Sequence, residues 1–167
     1  MNLLLTQKQI VCALLVLCGL GIQPPLMANE PEDQGQPANS VWISPGFYSI
    51  HFDRNSGLKD ANTGFGVQWN VRPEWSLTAG RFSNSNSQHS NYAGVIYMPW
   101  SWGPIRVGGV IAGFDGYPNM RNGGWFATVV PTIGIYGSRL AVNIGIIPEL
   151  KDRVQGAIAF QLMLRVH

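Results

Sequence analysis

The sequence predicts an all-β chain: an eight-stranded antiparallel up-and-down barrel that crosses a membrane. Three observations carry this. Apolar residues alternate with small or polar ones at period two over several separate stretches. Charged residues are only 12% of the 167, while glycine numbers 20. The connections between the stretches alternate between long and short, as in barrels with short periplasmic turns and long external loops.

The first 28 residues read as a secretory signal peptide. Lys8 precedes an apolar run over 10–22, and Leu26-Met27-Ala28 supplies a cleavage site. The run is short for a spanning helix. Leu17, before Cys18, is too large for a lipidation site. Cys12 and Cys18 both leave with this segment, so the mature chain has no disulfide, thiolate nucleophile or Cys-ligated metal. Residues 29–40 are polar with two prolines and read as a disordered lead-in. The net charge of +2 leaves no nucleic-acid footprint. Residues 41–167 form one domain.

The strands follow in order. Residues 46–53 come after a break at Pro45. Residues 64–72 set Phe65, Val67, Trp69 and Val71 against Gly66, Gln68, Asn70 and Arg72. Residues 75–83 and 91–99 form a hairpin, with Leu77, Ala79, Ala93, Val95 and Tyr97 on one face and Ser76, Thr78, Gly94 and Ile96 on the other. The loop between them, 84–90, is all Asn, Ser, Gln and His, with little to bury. Residues 104–114 set Ile105, Val107 and Ile111 against Arg106 and Gly108. Residues 125–136 are mostly apolar with Pro131 inside. Residues 139–147 set Leu140, Val142 and Ile144 against Ala141, Asn143 and Gly145. Residues 154–166 set Ile158, Phe160, Leu162, Leu164 and Val166 against Gln155, Ala157, Ala159, Gln161, Met163 and Arg165.

Pointing the large faces inward would supply more bulk than an eight-stranded lumen holds. Pointing them at lipid lets the small and polar faces fill the interior, at strand lengths of about 9–11 residues. Trp69, Trp75, Trp100, Trp102 and Tyr136 all lie beside short turns and would ring one end of the barrel at headgroup level. The chain ends Arg165-Val166-His167, not on the aromatic residue usual for such barrels.

Candidate chemistry gathers at the other end. His51 is in phase with Phe47 and Ser49, just before the first long loop, and Asn84-Ser85 opens the second. A His and a Ser at one mouth can form a nucleophile–base or hydrogen-bonded pair; solvated loop residues are the alternative. Asp53, two residues beyond His51, would orient the imidazole if the strand runs that far. His89 and His167 read as solvated. There is no credible metal set and no phosphate-cradling glycine loop.

Two segments carry a resemblance. Phe82-Ser83-Asn84-Ser85 through Ala93-Gly94 matches, without a gap, a Phe-Lys-Asp-Ser segment and its following Ala-Gly. Val129-Val130-Pro131 to Ile147-Pro148 keeps the spacing of two prolines. Both belong to the lipid A palmitoyltransferases of the outer membrane, which the chain resembles from Trp42 to its end. The resemblance implies an eight-stranded barrel, in the cell outer membrane and monomeric. Such a barrel moves a fatty acyl chain from a phospholipid to lipid A and needs no cofactor. The family's His, Asp and Ser fall on His51, Asn84 and Ser85, so Asn84 stands where the family has an acid. Pro131 and Pro148 would leave a gap between neighbouring strands, a lateral gate, since proline cannot donate to a ladder. The glycine that floors the family's acyl pocket falls on Ile96, which implies a shorter chain than palmitoyl. The family's leading amphipathic helix has no counterpart in 29–40. A lipid A or phospholipid deacylase, and a barrel that binds lipid without catalysis, are the alternatives.

Overall fold

The computed structural model describes residues 37–150 and 153–167. Eight strands close into one antiparallel barrel in chain order: β1 (Val41–His51), β2 (Ala61–Asn70), β3 (Trp75–Ser83), β4 (His89–Trp102), β5 (Ile105–Phe114), β6 (Phe126–Tyr136), β7 (Leu140–Ile147) and β8 (Ala157–Arg165). Closure pairs β1 with β8, from Trp42↔Arg165 to His51↔Ala157. Connections 52–60, 84–88 and 115–125, with 148–150 and 153–156 between the last two strands, lie at one end. The shorter connections 71–74, 103–104 and 137–139 lie at the other.

The barrel is inverted relative to a soluble one. Phe65 is 59% exposed and Ile111 63%, while Gln68 is 2% and Asn70 1%. Period-two alternation explains both: one set of side chains points out, and the next is sealed in the lumen. An apolar outer wall of this kind fits an outer-membrane protein. At the short-turn end Trp69, Trp75, Tyr97, Trp100 and Trp102 all face outward, and Trp75 stacks on Tyr97 with ring centroids 4.3 Å apart. Tyr136 does not join them. It is in phase with inward-facing Thr132, so its ring is buried, edge-on to Trp42 at 5.6 Å.

Below Ile96, toward the short turns, the lumen is solid. Trp42, Ile96, Met98, Tyr136, Ala141 and Met163 pack together. Amides and hydroxyls interlock above and beside them. Tyr136 donates to Asn143 Oδ1 (2.7 Å), Asn143 Nδ2 to Gln68 Oε1 (3.1 Å), and Gln68 Nε2 to Asn70 Oδ1 (2.9 Å). Ser76 Oγ also donates to Asn70 Oδ1 (2.7 Å), and Asn70 Nδ2 donates to Ser40 Oγ (2.7 Å). Each such bond stabilises by only about 0.5–1.5 kcal/mol, but stranding one buried partner costs about 1–3 kcal/mol.

Several boundaries differ from the sequence-based expectation. The first strand begins at Val41 and runs through Pro45. The ladders shift register there, between Ser44 and Gly46 toward β2 and between Ile43 and Tyr48 toward β8, so the missing N–H breaks no regular pairing. Gly46 sits at φ 115°, with no room for a Cβ beside Asn62 and Gly64. The second long loop ends at Gln88, not Ser90. Ser90 lies on β4, and both it and Asn84 are fully buried, so that stretch buries more than its composition suggests. Residues 37–40, expected to be disordered, make a turn held by Asn39 N–H to Asn70 O (2.7 Å). The predicted signal peptide, both cysteines and residues 29–36 lie outside the described residues.

Candidate functional site

Above Ile96 the same lumen is hollow. A cavity of about 630 Å³ opens at the long-loop end, within the range of small-molecule sites. Its wall is largely apolar and aromatic. Phe47 packs edge-on to Phe82 (5.0 Å) and Tyr92 (5.4 Å), and Tyr92 stacks on Phe114 (5.9 Å). Tyr92 fits because Gly66 and Gly80 face it; a Cβ at either would strike its ring or hydroxyl. Ile96 is 2% exposed, lines the cavity, and belongs to the packed cluster below. It is therefore the floor. It lies six residue steps along β4 from Ser90. At ~3.3 Å per residue that is ~20 Å along the strand, or about 14 Å of depth at a ~45° tilt.

His51, the last residue of β1, is 5% exposed and lines this cavity. Its partner is Asp60, just before β2, with Nδ1 to Oδ1 at 3.1 Å. Arg54 Nη2 reaches the other oxygen, Oδ2, at 3.2 Å. The bond from the His51 ring is the main force holding the Asp60 carboxyl below its usual range; partial desolvation opposes it and the Arg54 charge assists. An ionised carboxylate only accepts, so Nδ1 carries the hydrogen and Nε2 is the basic nitrogen.

Asp53 does not orient His51. The strand ends at His51, and Asp53 caps the turn beyond, accepting from Asn55 N–H at 2.9 Å. Asp60 is the acid that composition alone did not single out. Its signal is its phase: it lies two residues before Asn62, on the same face.

Ser85 also lines the cavity, and its hydroxyl donates to Asn62 Oδ1 at 3.3 Å. Asn62 in turn donates to Ser49 Oγ (2.9 Å) and to the Asp60 carbonyl (3.1 Å). Ser85 is thus joined to the His51–Asp60 pair through Asn62; among the described residues no hydrogen bond joins it to His51 directly.

Asn84 is placed differently. It is fully buried in its own loop with every polar group engaged. Oδ1 accepts from Asn86 N–H and Gln88 N–H, both at 3.0 Å. Nδ2 donates to Ser90 Oγ (2.9 Å) and Gly116 O (2.8 Å). The Gly116 carbonyl demands a donor, which an amide supplies and a carboxylate does not. Asn84 therefore ties the second long loop to the third.

The wall beside the cavity is open in one place. The β6–β7 ladder has five pairs, from Thr132↔Gly145 to Tyr136↔Ala141, although β6 runs back to Phe126 and β7 on to Ile147. Pairing stops at Pro131 on one strand and short of Pro148 on the other. Val130, Gly145 and Ile147 at this stretch line the cavity. Tyr117, from the third long loop, packs edge-on to Phe126 at the top of the same strand (5.6 Å) and lines the cavity too. Burial pushes its phenol up to about 12, so it stays a hydrogen-bond donor at neutral pH.

No protein-family model matches this chain, and a search of curated proteins gives no match.

Proposed function

We propose that this barrel spans the outer membrane and moves a fatty acyl chain from a phospholipid to lipid A. The observation that carries the reading is a carboxylate-held imidazole over an apolar cavity whose wall is unpaired between Pro131 and Pro148. The cavity suits a hydrocarbon chain, the open ladder gives that chain a lateral way in, and the imidazole supplies a base where the ester would sit.

In this mechanism a hydroxyl of lipid A attacks the ester carbonyl of the phospholipid. His51 Nε2 takes the hydroxyl proton while Asp60 holds Nδ1–H and balances the imidazolium. The new C–O bond forms, the old one breaks, and Nε2–H returns the proton to the departing lysophospholipid oxygen. Asp60 supplies the carboxylate that the family's motif would place at position 84. Ser85 and Asn62 orient the reacting groups. Ile96, which floors the cavity, sets the accepted chain shorter than palmitoyl, because overpacking a closed pocket costs about 1–3 kcal/mol.

Mass spectrometry of lipid A from cells with and without the protein tests this. A gain of one acyl mass, absent with His51→Ala, is expected. A loss of acyl mass would mean that water is the acceptor and the protein a deacylase. Unchanged lipid A and phospholipid would leave a barrel that binds lipid without chemistry.

A further inference from the structure

We propose that Asn62 is a positioning residue that makes Ser85 a hydrogen-bond acceptor facing the cavity, and that the acyl acceptor therefore carries a second O–H or N–H beside its attacking hydroxyl. This rests on the acyl-transfer reading above and specifies its acceptor.

The argument starts from a carbonyl. Asn62 is 2% exposed, and its side chain approaches the Asp60 backbone oxygen at 3.1 Å. A carbonyl oxygen only accepts, so the Asn62 amide must turn its nitrogen toward Asp60, where it also serves Ser49 Oγ at 2.9 Å. That turn aims Oδ1 at Ser85. Oδ1 is again only an acceptor, so the hydrogen between them is Ser85's. The 3.3 Å separation is long for O–H···O.

Two consequences follow for Ser85. An amide oxygen is not a base, so Asn62 cannot take the Ser85 proton and make a nucleophile of it. With its hydrogen committed, Ser85 does not serve as an oxyanion donor either. Its lone pairs remain for the cavity, and they meet a donor. The attacking hydroxyl has one proton, which goes to His51 Nε2. The donor to Ser85 is therefore a second group on the acceptor, such as a vicinal hydroxyl or a neighbouring amide N–H.

The test uses the full-length protein in detergent micelles with a phospholipid donor. The acceptor is either a long-chain 1-alkanol or the matching 1,2-alkanediol, and mass spectrometry measures the acylated product. Transfer to the diol should be faster by about 2–10-fold, the worth of one net hydrogen bond. Ser85→Ala and Asn62→Leu should each bring the ratio close to one, and the double variant should lower it no further, as expected of two groups acting as one. A ratio unchanged in Ser85→Ala overturns the proposal, as does a wild-type ratio of one. Ser85→Ala alone decides where the Asn62 variant fails to fold. If no acceptor is acylated, the acyl-transfer reading itself fails. Labelling with a fluorophosphonate then reads Ser85 without turnover. Resistance is expected, and covalent modification of Ser85 overturns its acceptor role.

Discussion

Above and below Ile96 the lumen follows one alternation and ends in opposite states. Below and at the floor, amides fill it: Gln68 and Asn143 bond across the lumen, Asn70 serves Gln68 and Ser40 beside it, and Asn143 also faces the cavity. Above, rings such as Phe47, Phe82 and Phe114 stand against the wall and leave a hollow. The difference is one of side-chain shape. Gln68 crosses the lumen to partners on β6 and β7 and closes the space. An aromatic ring packs on the ring beside it and leaves the axis open. The lower half is therefore packed, and the upper half holds the His51–Asp60 pair, a cavity and an unpaired stretch of wall.

The sharpest way to break that division is one substitution in each half. His51→Ala should lower acyl transfer by about 10²–10⁴-fold, the range of a general base. Its effect on unfolding should be small, since among the described residues the side-chain bond of His51 is the one to Asp60. Asn143→Leu should do the reverse. It removes the partner of Gln68 Oε1 and of Gln161 Oε1, at about 1–3 kcal/mol for each group stranded. Urea unfolding in detergent and transfer rates, measured on both variants, check the pair. Equal loss of stability in the two would erase the division between halves.

Ile96 marks the boundary, so changing it should move the boundary. Ile96→Gly deepens the cavity into the space above Met98. The transferred chain should lengthen, since one methylene in an apolar pocket discriminates by about 10–200-fold. Removing a packed side chain should also cost about 2–5 kcal/mol of stability. Chain length is read by mass spectrometry of the product. An unchanged chain in a folded Ile96→Gly protein would mean that the floor lies elsewhere.

The barrel is legible because its signals are local. Alternation, loop length and tryptophan position are each read within one strand or one turn, and the inside–outside assignment of Gln68, Ser76 and Ile96 follows from period two. Tyr136 misleads because its aromatic character points to the outer ring while its phase with Thr132 points inward, and phase wins. The acid is not legible for a different reason. His51 and Asp60 meet only once the β1–β2 hairpin has a register, with Tyr48 opposite Ala61. Looking along the same strand finds Asp53 instead, in a turn the strand does not reach. Asn84 can be located from its segment, but its role depends on four bonds that include the carbonyl of Gly116, 32 residues away.

Asn84 also separates two kinds of upper-half residue, those that face the cavity and those that hold its rim. Asn84→Asp would restore the acid of the resembling family. If Asn84 holds the rim, the variant should not gain activity. It should lose the donor to Gly116 O and set a carboxylate oxygen against that carbonyl, for a loss of about 1–3 kcal/mol. Thermal unfolding beside transfer rates decides; higher activity at unchanged stability in Asn84→Asp would return position 84 to the catalytic set.

The smallest expected effect is an acid limb confined to the upper half. Asp60 has its carboxyl lowered by the His51 bond first and by Arg54 in addition. A carboxyl lowered in the fold gives stability that is fully present above its unfolded value, close to 3.8. That stability is lost as pH falls through the lower, folded value. The loss therefore sets in at about pH 5 and continues down through the folded value, and the site keeps its carboxylate throughout the neutral range. Because Asp60 is 24% exposed, solvent screens the pair and the limb should be shallow. The amide and hydroxyl groups of the lower network do not titrate there. Asp60→Asn should accordingly lower the melting temperature slightly at neutral pH, where the contribution is fully present, and flatten its fall between about pH 5 and pH 3. Asn143→Leu should lower the whole curve without changing its shape. An acid limb that persists undiminished in Asp60→Asn would assign it to carboxylates other than the one that holds His51.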